Sequence, residues 1–397
     1  MAGYRSLYRR GELGKRVEAA KSLLGSCRVC PRRCAVDRLS GDVGKCRTPR
    51  EALVSSYGAH FGEEVPLVGR HGSGTIFFTN CNLRCVFCQN YSISQLGEGR
   101  KVSPTELGGM LLSLQSRGCH NINLVSPTHV VPQILEALEV AVESGLNIPL
   151  VYNSGGYDSL ETLALLDGIV DIYMPDMKYS DEETARELSG IENYPRVNRA
   201  AVREMHRQVG ELQLDEDGVA QRGLLVRHLV LPHSLAGTGE VVDFLASEVS
   251  PHTYVNIMAQ YHPCHKASQF PYLSRPTSAA EFEAALALAR QAGLTRLDGV
   301  RPLFLVLGYA RQGSSFSNGS RLCAGGQLPL LRPAPCGKPG PEGLCAQPAR
   351  WLRGGRRRGG EGQAKAAGGA VEGGSPGSPG YGGGGALVGL LRGVHRV

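Results

Sequence analysis

Between positions 66 and 310, short apolar or β-branched runs alternate with stretches of helical periodicity, and this alternation limits the possible folds more than any other feature of the chain. The strand candidates are 74–79, 121–126, 148–153, 169–174, 224–231 and 254–259. Helical patterns occupy 104–116, 131–144, 160–166, 181–188, 194–209 and 239–250, and a last one covers 279–292. Such alternation implies an α/β fold with a parallel sheet and helical crossovers. Six units suit a curved, incomplete barrel better than a flat doubly wound sheet. In parallel barrels the functional groups gather at the C-terminal strand ends, so the polar residues there are the first candidates.

Cysteine placement narrows the chemistry. Seven of the twelve cysteines lie between positions 27 and 88, in two tight groups. In a reducing compartment such grouping reads as metal binding rather than disulfides. One group follows the first strand, in Thr79-Asn-Cys-Asn-Leu-Arg-Cys-Val-Phe-Cys-Gln-Asn90. The spacing of Cys81, Cys85 and Cys88 lets three thiolates bind three irons of a cubane 4Fe-4S cluster. No fourth Cys or His follows closely, so the fourth iron is left open for a ligand. A structural zinc site prefers four closed ligands. Phe87 can pack on a flat ligand.

The other group is Cys27, Cys30, Cys34 and Cys46, set among Pro31, Gly41 and Gly44. Four thiolates satisfy either a structural zinc ion or a second Fe–S cluster. A small lobe with little apolar sequence needs such a staple. Cys119, Cys264, Cys323, Cys336 and Cys345 belong to no motif and read as free thiols.

Composition divides the chain into a helix and Cys-rich lobe at 1–65, a core at 66–310 and a tail at 311–397. The tail holds 24 of the 53 glycines and a net charge of +9, so the rest carries −2 of the total +7. With few large apolar residues, the tail is expected to be disordered. Its composition is also what a GC-rich gene yields when read out of frame. A near-neutral body asks for no nucleic-acid partner, and Arg356-Arg357-Arg358 in the tail is the one feature that would. No apolar run reaches the length of a membrane span. Residues 1–21 lack the apolar stretch of a secretory signal, and Leu7, Leu13, Val17 and Leu23 suit an amphipathic helix. A cytoplasmic protein is expected.

At the remaining strand ends stand Ser126-Pro-Thr-His129, Asn153-Ser-Gly-Gly156, Asp176 with Lys178, Arg227 with His228, and Gln260-Tyr-His-Pro263. Ser126 and Thr128 either offer hydroxyls to a ligand or form a turn that caps the next helix. Asn153 and its glycines read as a ligand approach or a plain β/α turn. Asp176 and Lys178 point to one side of their strand. Arg227 on a central strand needs a partner. His228 faces the other way and reads as structural.

The cysteine segment resembles the defining motif of the radical S-adenosylmethionine (SAM) superfamily, C-x3-C-x-aromatic-C. From about Tyr4 to Pro302 the chain resembles uncharacterised homologues of pyruvate formate-lyase activating enzyme. The stretches that carry this are Cys30-Pro-Arg-Arg-Cys34, Phe61-Gly-Glu-Glu64, Gly74-Thr-Ile-Phe-Phe78, Cys88-Gln-Asn-Tyr91, Met174-Pro-Asp-Met-Lys178, Val226-Arg-His-Leu-Val-Leu-Pro232 and Thr295-Arg-Leu-Asp-Gly299, with the strand ends quoted above. The resemblance implies a partial (β/α)6 barrel. It implies a 4Fe-4S cluster on Cys81, Cys85 and Cys88, with SAM on the open iron. A 5′-deoxyadenosyl radical would then form and abstract hydrogen. Asp176, Lys178, Arg227 and His262 match residues that contact SAM in activating enzymes. Phe87, Ser126, Thr128 and Asn153 complete the expected SAM site. Where radical SAM proteins often have Gly-Gly-Glu, this chain has Ser126-Pro-Thr-His129. The expected partners are SAM, an external reductant such as flavodoxin or ferredoxin, and a glycyl radical enzyme as protein substrate. The competing reading is an Fe–S or zinc scaffold without SAM chemistry.

Overall fold

In the computed structural model, which describes residues 2–298, the alternating runs become one ten-stranded sheet. Its strands are β1 (Ala52–His60), β2 (Ser73–Phe78), β3 (Arg100–Val102), β4 (Ile122–Val125), β5 (Leu150–Ser154), β6 (Ile172–Pro175), β7 (Gln213–Leu214), β8 (Ala220–Leu229), β9 (Tyr254–Met258) and β10 (Arg296–Asp298). The spatial order is β10-β9-β8-β6-β5-β4-β2-β1-β3, with β7 beside β8. All contacts from β2 through β10 in that order are parallel, while β1, β3 and β7 pair antiparallel.

The six expected strands are present. A seventh parallel strand, β10, follows the last expected helix. The sheet also crosses the compositional boundary at 65, because β1 pairs with β2 along most of its length.

The helices are α1 (Gly3–Arg9), α2 (Glu12–Ser22), α3 (Val65–Val68), α4 (Pro104–Ser116), α5 (Val131–Glu143), α6 (Leu160–Leu166), α7 (Glu182–Ser189), α8 (Tyr194–Val209), α9 (Thr238–Phe244) and α10 (Ala279–Gln291). Reciprocal capping boxes start α4 (Ser103 with Glu106) and α10 (Ser278 with Glu281), which satisfies amides left open at a helix N-terminus. The expected N-terminal helix is two helices, α1 and α2. Gly11 breaks it at φ 69°, a left-handed conformation glycine adopts without a Cβ clash. No helix among the described residues is long and apolar enough to cross a membrane. The readings made for 311–397, including Cys323, Cys336, Cys345 and the Arg356-Arg357-Arg358 run, lie outside the described residues.

The sheet is curled. Asn256 on β9 donates to Glu64, four residues past the end of β1, at 3.1 Å. These strands are six places apart in the sheet, about 29 Å if it were flat. Side chains of alternate strand residues therefore face a lumen. Its apolar part is Val151, Ile172, Met174 and Leu225, with Leu67 of α3 packed against them. The opposite faces of the same strands (Leu124, Tyr152, Tyr173, Val226, Ile257) join the larger core under the helices.

The N-terminus closes onto this frame through Asp171, which is 5% exposed. Its carboxylate accepts from Leu150 N at 3.0 Å and Gly3 N at 3.3 Å. Burial pushes this carboxyl up to about 6, against the pull of those amides. A raised folded-state value means stability is present below the ordinary Asp range and is lost as pH rises through about 6. Asp171→Asn should therefore flatten the pH dependence of unfolding between pH 4 and 7, by on the order of 2 kcal/mol relative to the parent. Urea denaturation of both proteins across that range checks this. Parallel curves would contradict it.

Candidate active site

The cysteine loop leaves the C-terminal end of β2 through Asn80, whose φ is 71°. Asn82 donates to Tyr157 O at 2.8 Å, and Val86 N donates to Leu188 O. Leu83 packs against Gly155, where a Cβ would come within 2.6 Å of it. The loop is thus held on both flanks. Cys85 Sγ lies 3.0 Å from Ser189 Oγ, Cys88 Sγ lies 3.2 Å from Ser94 Oγ, and Leu83 N donates to Cys81 Sγ. Burial raises the Cys81 thiol to about 12, and the charges of Cys85 and Cys88 add to the rise. Among the described residues no three His, Cys, Asp or Glu side chains converge on one ion. A cubane does not ask for that, since each thiolate takes a different iron at a different corner. Three clustered sulfurs, Cys85 buried and Cys81 and Cys88 half-buried, each beside a polar group, fit such a group, and Lys178 lies close enough to Cys85 to feel its charge.

The same loop borders a cleft of about 230 Å³ whose lining includes Cys85, Phe87, Asp176, Lys178, Arg227 and Gln260. Asp176 joins two of its lining cations. Its Oδ1 accepts from Arg227 Nε at 2.9 Å and its Oδ2 from Lys178 Nζ at 2.5 Å. Arg227 also donates to Asn153 Oδ1 at 2.7 Å and lies 4.0 Å from Glu64. Burial alone would raise the Asp176 carboxyl, but Arg227 and Lys178 overcome it and hold the group below its usual value. Burial would likewise lower Arg227, and the charges of Asp176, Glu64 and Glu63 raise it instead. Four residues expected at three strand ends, Asn153, Asp176 with Lys178, and Arg227, are therefore one polar network.

Other expected residues are placed differently. Phe87 is buried edge-on against Tyr261 and Tyr179, at centroid distances of 5.7 and 6.5 Å. Thr128 is turned away from this network: its hydroxyl donates to Asp158 Oδ1 at 2.7 Å. Ser126, at φ 58°, donates its amide to Asn153 O. His262 is exposed, with Nδ1 3.2 Å from Gln89 Nε2. The Asn153-Ser-Gly-Gly156 glycines make room for protein, since a Cβ on Gly156 would meet Asp176 O at 2.0 Å. His228 is structural as expected, fully buried between Met177 O and Thr238 Oγ1, and burial drops it to about 4.

Two features were not read from the sequence. Asp158, 3% exposed, accepts from Thr128, Tyr152 and Ser154 and ties the ends of β4 and β5 together. Glu63 and Glu64 enter the barrel from the connection after β1. Only the Phe61-Gly-Glu-Glu64 stretch hinted at them, without a role.

The second cysteine group lies in an irregular segment closed by Cys27 N to Val36 O and Ala35 N to Cys27 O. Cys27, Cys30 and Cys46 are buried, and Cys30 feels the charges of the other three. Arg38, fully buried, anchors the segment by donating to His129 O and Pro49 O, and His129 Nε2 lies 3.0 Å from Thr79 O.

The radical SAM superfamily model matches residues 75–214. An uncharacterized protein of Methanocaldococcus jannaschii is 34% identical over 292 residues, which are 71% of this chain and 79% of its own. The chain belongs to the radical SAM superfamily. Solved radical SAM structures similar to it include a methyltransferase from Sphaerobacter thermophilus (TM-score 0.40, 15% identity, 56% of this chain and 64% of that one). Another is Streptococcus suis SuiB bound to S-adenosylmethionine (TM-score 0.38, 14% identity, 60% and 52%). The matches span less than two thirds of either solved chain. Membership of the radical SAM superfamily implies a 4Fe-4S cluster and SAM.

The charged network makes a stability prediction. Asp176→Asn leaves Arg227 and Lys178 short of their shared carboxylate and should cost about 3 kcal/mol. Lys178→Met leaves the Asp176–Arg227 pair intact and should cost about 1 kcal/mol. Denaturant unfolding of the two variants measures both, and equal losses would show that Asp176 does not organise the network.

Proposed function

We propose that this radical SAM protein reductively cleaves SAM, with Cys81, Cys85 and Cys88 holding the cluster. What carries the reading is that Cys85 and Cys88 border one cleft with Asp176, Lys178 and Arg227 at the C-terminal strand ends, with Asn153 bonded to Arg227 behind it. When bound and reduced, the cluster supplies the electron that breaks a C–S bond of SAM and releases a 5′-deoxyadenosyl radical. The chain's own work is to bind and to orient. Lys178 and Arg227 offset the carboxylate end of the cosubstrate, and Asp176 and Asn153 accept from its amine. Phe87 walls the cleft on one side, and the exposed His262 meets Gln89, another lining residue. Ser126 contributes its backbone position rather than its hydroxyl.

Activation of a glycyl radical enzyme, with flavodoxin or ferredoxin as electron donor, is the finer form of this reading, and sequence resemblance supports it. We also assign a second metal, a zinc ion or a further Fe–S cluster, to Cys27, Cys30, Cys34 and Cys46. The burial of three of these thiols supports that assignment.

Anaerobic reconstitution with iron and sulfide, followed by dithionite and SAM, should yield 5′-deoxyadenosine from the parent and background levels from Cys85→Ala. Equal yields, or a parent that takes up no iron, would sink the proposal. The same variant should retain one zinc or about four irons at the N-terminal cysteines, which metal analysis reads directly.

A further inference from the structure

Beneath the cleft, the lumen carries polar groups with unused bonding capacity. Asn123 on β4 is fully buried, and neither its Nδ2 nor its Oδ1 has a hydrogen-bond partner among the described residues. Its amide lies beside the Glu63 carboxyl without closing a bond of good geometry. Glu64 is 7% exposed. Its Oε1 accepts from Asn256, and its Oε2 has no partner among the described residues. The Glu63 side chain is 9% exposed, and the imidazole nearest to it is His60, whose Nδ1 stands 3.4 Å away with no hydrogen bond made. Burial pushes the Glu63 carboxyl up, against the pull of Arg227.

Folding does not account for this layer. The neighbouring lumen residues Val151, Ile172, Met174 and Leu225 are apolar and packed, and a further apolar layer would have closed the barrel without loss. A buried polar group left unmatched costs about 1–3 kcal/mol, and more if charged. Ordered water can satisfy the amide, but it brings no positive charge for two carboxylates. Arg227 and Lys178 both bond Asp176, and Arg227 comes no nearer to this layer than 4.0 Å from Glu64, so two cations serve three carboxylates.

We infer that this layer binds a primary ammonium group of the substrate, accepted by Glu63, by Glu64 Oε2 and by Asn123 Oδ1. An ammonium has three donors and no acceptor, and three acceptors on separate side chains suit it better than the planar fork of a guanidinium. An anionic head group is repelled by the same carboxylates. The level is right for chemistry in the cleft above. Asn123 pairs in register with Val151, two residues before Asn153, so it lies one layer, about 6.6 Å, below the charged network. A short carbon arm from an ammonium held there points back toward the cleft. The inference rests on the radical SAM reading of that cleft. The amine can belong to a small molecule or to a lysine side chain of a peptide, since the recognised group is the same.

Calorimetry on the reconstituted full-length protein with SAM tests this without turnover. n-Pentylamine should bind at least tenfold tighter than n-pentanol. Glu63→Gln and Asn123→Leu should each erase the difference, while Glu63→Asp should keep part of it. Circular dichroism confirms that each variant is folded. An N-acetyl, C-amide Gly-Lys-Gly peptide reads the second source: tighter binding than pentylamine assigns a lysine side chain, and weaker binding assigns a small amine. Equal binding of amine and alcohol, no binding of either, or a preference that survives both substitutions would overturn the inference and leave a hydrated polar layer only. Production of 5′-deoxyadenosine by the parent without any amine is read separately. If it succeeds while the amine preference fails, the radical reading stands and the amine site falls.

Discussion

The Asp176–Arg227 pair is the contact on which the architecture turns. Asp176 follows β6 and Arg227 lies within β8, and the two residues are bridged along the backbone as well as through their side chains. The sheet joins β6 to β8 without a strand between them, although α7, α8 and β7 intervene in sequence. Two strands brought together over that distance pair without a short connection to hold their register. A largely buried ion pair at the point where they diverge supplies it. A misplaced register would leave both charges without partners in a low-dielectric wall. The same pair then defines the cleft, because Lys178 and Asn153 reach the carboxylate and guanidinium from either side.

Legibility of the fold followed the strength of local pattern. Helices α4, α6 and α8 begin and end where the periodicity says, because one buried face and clear starting residues agree. Strand β10 is three residues, Arg-Leu-Asp, too short and too polar to show alternation. Strand β1 buries Ala52 and Val54 but then runs through Ser55, Ser56 and Gly58, so its burial pattern fades where its pairing continues. What makes it a strand is its neighbour β2, and no local window contains that.

The candidate site was legible where its residues stand at strand ends and illegible where the chain returns from elsewhere. Asp176, Lys178, Arg227 and Asn153 converge because parallel strands deliver their ends to one mouth. Glu63 and Glu64 leave an antiparallel strand at the opposite end, and only the curl of the sheet brings them under Arg227. Thr128 had the right chemistry at the right strand end, but Asp158, thirty residues on, takes its hydroxyl. Gly155 and Gly156 read in the sequence as a ligand approach or a plain β/α turn. What approaches is Leu83 and the Asp176 carbonyl.

Arg38 has a wider consequence. It is an arginine sealed from water whose bonds all go to main-chain carbonyls, and one of those belongs to His129. The ring of His129 in turn meets the carbonyl of Thr79, two residues before Cys81. One unbroken line of contacts thus runs from the first cysteine group to the hinge of the second. The two cysteine groups share a single mechanical frame, so a strain imposed on one loop is carried to the other.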